Sequence, residues 1–310
     1  MPTQQLPRAV VQRRFGEIDR FHDGPPENDI SAGMPAGMIT DDTEQAVIVA
    51  RAIVDGDGTV DYEEFAASLR AWERLASARG GEQLGPSTRR ALDALAAGSP
   101  YEEVGRRGDT NGAAMRIAPV GIAAGVADLD ALVDMVEAAS ALTHNTGLAI
   151  SGAAAVAAAV SAAIDGIDGD DKTEVACRAA ELGVSRGAYS AGARVDRRIR
   201  AAVDLAATET EDPSFLDEVC DLIGTGVATQ ESVPAAFALA ARWPDDPWRA
   251  CCAAASLGGD SDTVGAIVGA LLGATVGAAA LPVDAVETVR RVNSFSPEPL
   301  VDDLLKLRRR

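Results

Sequence analysis

Aromatic side chains are scarce in this 310-residue chain, with three Trp, three Tyr and six Phe making up 4% of it. A sheet of β-branched and aromatic residues is therefore a poor expectation, and the abundant Ala and Gly favour closely packed helices instead. Basic charge is also short: 28 Lys and Arg face 47 Asp and Glu, for a net charge of −19. That balance argues against nucleic acid or an anionic membrane as a partner, because phosphate affinity rests on Lys and Arg. The four cysteines, Cys177, Cys220, Cys251 and Cys252, form no CxxC pair and no regular spacing. Neither a zinc site nor a disulfide framework is indicated, and a reducing cytoplasm is the expected location. Charges at Arg8, Arg13, Arg14, Glu17 and Asp19 break up the opening stretch, so no signal peptide is expected. One uncharged run, Val264 to Val283, reaches membrane-spanning length, but it is mostly Ala and Gly with Asp260 and Asp262 just before it. Its Gly265, Gly269, Gly273 and Gly277 recur every four residues, which on a helix makes one bare ridge where another backbone can approach. A buried central helix is expected instead.

What the chain has in quantity is apolar residues, 47% of the total, enough for a substantial core. After a short opening helix, residues 1–39 read as irregular, with turns at Asp23-Gly24-Pro25-Pro26 and Gly33-Met34-Pro35-Ala36-Gly37. Helical periodicity then predicts helices at about 44–54, 61–78, 86–97, 113–125, 129–142, 146–164, 172–184, 195–207, 214–224, 231–242, 246–257, 262–280, 283–292 and 298–309. Phe65, Leu69, Trp72 and Leu75 recur at helical spacing and are expected to face the core. No linker and no repeat of fixed period separates these segments, so one all-α domain spanning 1–310 is expected.

Two acidic corners carry the chemistry: Thr40-Asp41-Asp42-Thr43, and far along the chain Gly258-Gly259-Asp260-Ser261-Asp262-Thr263. Each sets two carboxylates and a hydroxyl at a helix start. Capping accounts for one acid per helix and needs no ion. A second acid in each corner is better explained by Mg²⁺ or Mn²⁺, hard cations that take oxygen ligands and neutralise clustered carboxylates. Residues at i and i+2 of an extended approach point the same way, so Asp260 and Asp262 can face one cation while Thr263 adds a hydroxyl. A third acidic stretch, Asp55-Gly56-Asp57-Gly58-Thr59-Val60-Asp61-Tyr62-Glu63-Glu64, imitates the end of an EF-hand loop. Counting back from Glu64 puts Ile53 where the first Asp ligand belongs, so it reads as an acidic turn.

Taken in order, Thr40-Asp41-Asp42-Thr43-Glu44, Asp109-Thr110-Asn111-Gly112-Ala113-Ala114-Met115-Arg116-Ile117-Ala118-Pro119, Thr143-His144-Asn145 and Gly258-Gly259-Asp260-Ser261-Asp262-Thr263-Val264-Gly265 resemble the ADP-ribosylglycohydrolase family over about residues 10–285. The resemblance implies a compact orthogonal multi-helix bundle with a binuclear Mg²⁺ or Mn²⁺ centre. By position Thr40, Asp41 and Asp42 would bind one ion, Asp260 and Thr263 the other, and Asp262 would bridge the two. It further implies that the loop Gly108 to Met115 receives the diphosphate, with Asn111, Gly112, Ala113 and Met115 as substrate contacts. A Gly-containing loop entering a helix suits that use, since it turns N–H groups toward an anion, although an ordinary helix-start turn looks the same. Asp109 and Asp262 are the catalytic candidates, Asp109 as acid or base or else a solvated turn residue. His144 either caps the Ala-rich helix or lines the pocket, and Arg116 either meets a phosphate or braces nearby carboxylates and carbonyls.

The implied function is metal-dependent hydrolysis of the glycosidic bond between ADP-ribose and an acceptor, arginine on protein being slightly favoured. The alternatives are hydrolysis of a small ribosyl metabolite or nucleoside, and a non-catalytic ADP-ribose-binding homologue. Partners would be an ADP-ribosylated protein or a small ADP-ribosyl compound. Family members usually open with a helix carrying a GxxxGDALG-like run and then a Glu over the metals. Here Arg13-Arg14-Phe15-Gly16-Glu17-Ile18 already resembles the stretch beyond that Glu. An exposed apolar groove is therefore expected where such a helix packs, with Glu17 and Glu27 as the carboxylates available to replace the Glu.

Overall fold

A computed structural model describes residues 2–79, 84–208 and 211–310. Among these residues there is no strand, only two isolated bridges, Thr110 with Ala228 and Thr146 with Ala188. The helices in chain order are α1 (Arg8–Phe15), α2 (Asp41–Asp55), α3 (Tyr62–Arg79), α4 (Pro86–Ala96), α5 (Tyr101–Val104), α6 (Gly112–Met115), α7 (Ala118–Ala123), α8 (Leu129–Ser140) and α9 (Gly147–Ile164). They continue with α10 (Gly169–Val184), α11 (Val195–Ala206), α12 (Asp212–Glu218), α13 (Thr229–Arg242), α14 (Pro247–Leu257), α15 (Ser261–Val276), α16 (Val283–Asn293) and α17 (Glu298–Arg308). The all-helical expectation is met, and most boundaries fall within a few residues of those read from periodicity.

The differences have local causes. Residues 113–125, read as one helix, are α6 and α7, parted at Arg116 and Ile117 just ahead of Pro119, whose missing N–H and ring favour a fresh start. The run read as 262–280 stops at Val276 because Gly277 turns to φ 79°. The four-residue α5 escaped notice, being too short to show a period. On α3, Phe65, Leu69 and Trp72 are buried as expected, whereas Leu75 is exposed.

The centre of the core is α9. Seventeen of its eighteen residues are buried, and it touches α6, α7, α8, α10, α11, α13 and α15. It is long and apolar enough to cross a membrane, yet it lies inside the protein. Small side chains allow this crowding. A Cβ on Gly121 of α7 would sit 2.4 Å from the Ala157 carbonyl, and one on Gly183 of α10 would sit 2.8 Å from the Ser151 Cα. Close approach of backbones is therefore built around α9, not around the glycine ridge of α15. There, Gly265, Gly269 and Gly273 are half-buried, and a Cβ on Gly273 would meet nothing within 4 Å. The sixteen-residue α15 is also too short to span a bilayer.

Candidate metal centre

The two acidic corners are brought together by the starts of α2 and α15. Gly258 and Gly259 make the second corner possible. Both have positive φ (73° and 61°), and a Cβ on either would collide with backbone, at 2.2 Å from the Leu6 carbonyl and 2.5 Å from the Thr225 carbonyl. Only glycine combines that conformation with that closeness. The turn is held on both sides: Gln5 N–H donates to the Gly259 carbonyl (2.6 Å), Gly259 N–H to Leu6 (3.0 Å), and Asp260 N–H to Thr225 (2.6 Å).

One carboxylate oxygen each from Asp41, Asp42 and Asp262 lie within 4.8 Å of one another. Asp42 and Asp262 are buried, and Oδ1 of each has no hydrogen-bond partner. Orphaned acceptors at this depth are costly, each by about 1–3 kcal/mol, unless something positive meets them. Asp42 Oδ2 accepts from the Thr40 hydroxyl at 2.7 Å. Asp260, also buried, has Oδ2 held by the Asn111 amide at 2.5 Å, and that amide also donates to Ser232 Oγ at 3.0 Å. Ser261 Oγ and Thr3 Oγ1 share a hydrogen bond of 3.0 Å behind the turn.

Burial drives all four acids toward their protonated forms. Asp42 is raised to about 6 by burial and the Asp260 charge, against lowering hydrogen bonds from Thr40 and Thr263. Asp41 is raised well above its ordinary value by burial and then by Asp42, Asp262 and Asp260. Asp262 is raised by burial, Asp42 and Asp260, and Asp260 by burial against lowering contacts from Asn111, Thr263 and Gln4. Three mutually repelling carboxylates, two of them with an unfilled oxygen, and flanking hydroxyls form a donor set that suits a hard divalent cation.

A cavity of about 250 Å³ opens over Asp41, Asp260, Asp262 and Thr263. Its walls include Thr110, Asn111, Gly112, Met115 and His144 on one side and Gln4, Gln5 and Ile30 on another. The structure thus gathers Thr40, Asp41, Asp42, Asp260, Asp262, Thr263, Asn111, Gly112, Met115 and His144 into one place. Ala113 is turned into the core instead. Asp109 does not line the cavity: its carboxylate is half-buried and accepts from Ser190 Oγ at 3.3 Å, one residue outside the wall at Thr110. The loop before α6 is also less open to an anion than its glycine suggests. Asn111 N–H already donates to the Val227 carbonyl, and Gly112 is small because a Cβ there would come within 2.7 Å of the His144 ring. Neither Glu17 nor Glu27 faces the centre. Both are exposed, and Glu27 pairs with Arg14 at 2.8 Å. An apolar groove of about 460 Å³ is present, lined by Phe21, Trp248, Leu281, Val286, Val289 and Phe295.

Nothing in the sequence marks Gln45 or Ser87, which together with Thr143 of the Thr143-His144-Asn145 motif tie this wall together. Arg116, fully buried, donates to Gln45 Oε1 and to Thr143 Oγ1, both at 2.7 Å. Thr143 Oγ1 is 2.7 Å from His144 Nδ1, His144 Nε2 is 3.0 Å from Thr110 Oγ1, and Thr110 donates to Ser87 Oγ at 2.9 Å. Burial, with Arg116 and Arg90, lowers the His144 pKa well below its ordinary value, so the ring is neutral.

The sequence profile of the ADP-ribosylglycohydrolase family matches residues 1–310. The chain belongs to the ADP-ribosylglycohydrolase family. A solved chain described as an ADP-ribosylglycohydrolase-related protein complex superposes on this family member with a TM-score of 0.62 at 25% identity, over 97% of this chain and 94% of the other. Among curated sequences it is 35% identical to the uncharacterized protein YegU of Escherichia coli (strain K12), over 86% of this chain and 80% of that protein. It is 30% identical to an uncharacterized protein of Archaeoglobus fulgidus, over 86% of this chain and 79% of that one. Membership of an ADP-ribosylglycohydrolase family and an acidic cluster able to hold metal make it a hydrolase of ADP-ribosyl type in its general character.

Proposed function

We propose that the chain is a metal-dependent ADP-ribosyl hydrolase that cleaves the bond between the ribose anomeric carbon and an acceptor, with arginine on protein as the favoured leaving group. The observation that carries this reading is the convergence of Asp41, Asp42 and Asp262 within 4.8 Å, with unpartnered oxygens on two of them, at the floor of a cavity. Two Mg²⁺ or Mn²⁺ ions are the proposed cofactors. Thr40, Asp41 and Asp42 would hold one, Asp260 and Thr263 the other, and Asp262 would reach both. Ions held there supply charge that fixes the ribose hydroxyls and offsets charge developing on the substrate.

The protein's own groups do the rest. Asn111 keeps the Asp260 carboxylate from turning, and Thr40 does the same for Asp42. Asp262, the acid that would reach both ions, would also take the proton from an attacking water as the glycosidic bond loosens toward an oxocarbenium-like state. Asp109, held by Ser190 outside the cavity wall, would have to turn inward to protonate the leaving group. The Gly112, Met115 and His144 wall excludes water from one face of the sugar. Four free cysteines suit a cytoplasmic setting, and one continuous core cluster from Val49 to Leu304 supports reading the whole chain as one domain.

The test is release of free ADP-ribose from arginine-ADP-ribosylated protein, with and without Mg²⁺. Metal-dependent release that disappears in Asp262→Asn is the expected result. Binding of ADP-ribose with no release from any substrate would instead identify a non-catalytic binder. The cavity volume of about 250 Å³, below the roughly 300 Å³ of ordinary small-molecule sites, favours as second reading a small ribosyl compound, which splitting of a nucleoside or ribosyl metabolite with modified protein left untouched would identify.

A further inference from the structure

Arg116 is the largest fully buried side chain among the described residues, and the proposed chemistry leaves it unused. Its hydrogen-bond partners are all neutral: Gln45 Oε1 and Thr143 Oγ1 at 2.7 Å, and the Ala139 carbonyl at 3.5 Å. Its guanidinium carbon sits 5.4 Å from the Phe65 ring centre, and Nε has no partner. A buried cation without a carboxylate in contact is expensive, so its retention calls for a role beyond packing.

The hydrogen bonds assign one. A guanidinium only donates, so Gln45 must turn its oxygen toward Arg116 and its nitrogen away. That nitrogen faces Asp41 Oδ2 at 3.5 Å, the outer limit of a hydrogen bond. A flipped amide would set an oxygen against the carboxylate. On the other branch, Thr143 Oγ1 accepts from Arg116, which leaves its proton for His144 Nδ1. Thr110 spends its own proton on Ser87, so it accepts from His144 Nε2. Every proton along Arg116, Thr143, His144 and Thr110 is then determined, and His144 carries its hydrogen on Nε2.

We propose that Arg116 is a positioning residue for both walls of the cavity, aiming the Gln45 amide at Asp41 and fixing His144 as the Nε2–H tautomer that orients Thr110. The Asp41 branch rests on the metal-centre reading; the His144 branch does not. The test uses ¹⁵N-labelled full-length chain, imidazole ¹⁵N spectra and Mg²⁺ titration by calorimetry. With two histidines in the chain, a His22→Gln sample assigns the spectra. Wild type should show His144 as a pure Nε2–H tautomer. Arg116→Lys, whose single ammonium cannot span both acceptors, should mix the tautomers and weaken Mg²⁺ by about tenfold, the cost usual when support for a metal ligand is lost.

The branches should also separate. Gln45→Met should weaken Mg²⁺ and leave the His144 signals alone, and Thr143→Val should do the reverse. These two variants decide the matter if Arg116→Lys does not fold. A folded Arg116→Lys with wild-type affinity and unchanged nitrogen signals, or an Nδ1–H tautomer in the wild type, would overturn the proposal. Absence of Mg²⁺ binding by the wild type would sink the metal reading, and the nitrogen spectra would still judge Arg116.

Discussion

Replacing Asp262 with Asn should stabilise the metal-free protein while abolishing its response to Mg²⁺, two effects of opposite sign from one isosteric change. The structure gives the size. Two carboxylate oxygens no more than 4.8 Å apart repel by at least about 3.5 kcal/mol at an effective dielectric constant near 20. Asp42 provides a second scale, since raising an acid from 3.8 to about 6 corresponds to about 3 kcal/mol to ionise it above neutral pH. Allowing about 1 kcal/mol for poorer hydrogen bonding by the amide leaves a net gain of about 2 kcal/mol. The raised folded-state values set the sign with pH. Stability from these acids is complete below their unfolded value near 4 and is lost as pH rises through the folded value, about 6 for Asp42. The metal-stripped wild type should therefore weaken between pH 4 and pH 7, and Asp262→Asn should weaken less. Urea unfolding of EDTA-treated protein across that range, repeated with Mg²⁺ at pH 8, reads both effects. An Asp262→Asn variant that is less stable than wild type without metal would refute the argument, because a helix cap, not a strained ion cage, would then be its role.

Asp61→Asn should leave Mg²⁺ and Ca²⁺ binding unchanged in calorimetry. The Asp61 carboxylate caps α3 through the Glu63 and Glu64 N–H groups (2.9 and 3.0 Å), and Asn caps as well. Gly112→Ala should cost about 1–3 kcal/mol in thermal unfolding by driving a methyl into the His144 ring. Gly273→Ala on α15, with open space around its Cβ, should instead gain up to about 1 kcal/mol of helix propensity. Asp109→Asn should lower ADP-ribose release with Mg²⁺ affinity unchanged; full activity would remove Asp109 as acid or base.

Much of this was legible in the chain because it is local. Helix starts at Asp41 and Ser261, the two glycines ahead of Asp260, and the acid pairs themselves are short-range patterns that survive folding. What was not legible is non-local. The glycine ridge of α15 reads as the central helix, whereas the packing of α7, α10 and α13 puts the Ala-rich α9 there. Asn111 reads as a ligand contact in its motif, yet it serves Asp260, a partner from the far end of the chain. Gln45 carries no signal at all, and Thr143 is legible only as a member of its motif, since the role of each comes from sharing Arg116. Asp109 stands next to the right loop, but a side chain one residue along faces a different neighbour, Ser190.

Free Mn²⁺ measured by electron paramagnetic resonance during titration of the metal-stripped chain tests the central claim most directly. The account predicts that up to two Mn²⁺ per chain are sequestered and that Asp41→Asn and Asp262→Asn each abolish tight binding. Undiminished free Mn²⁺ in the presence of wild type, or equal sequestration by both variants, would contradict it.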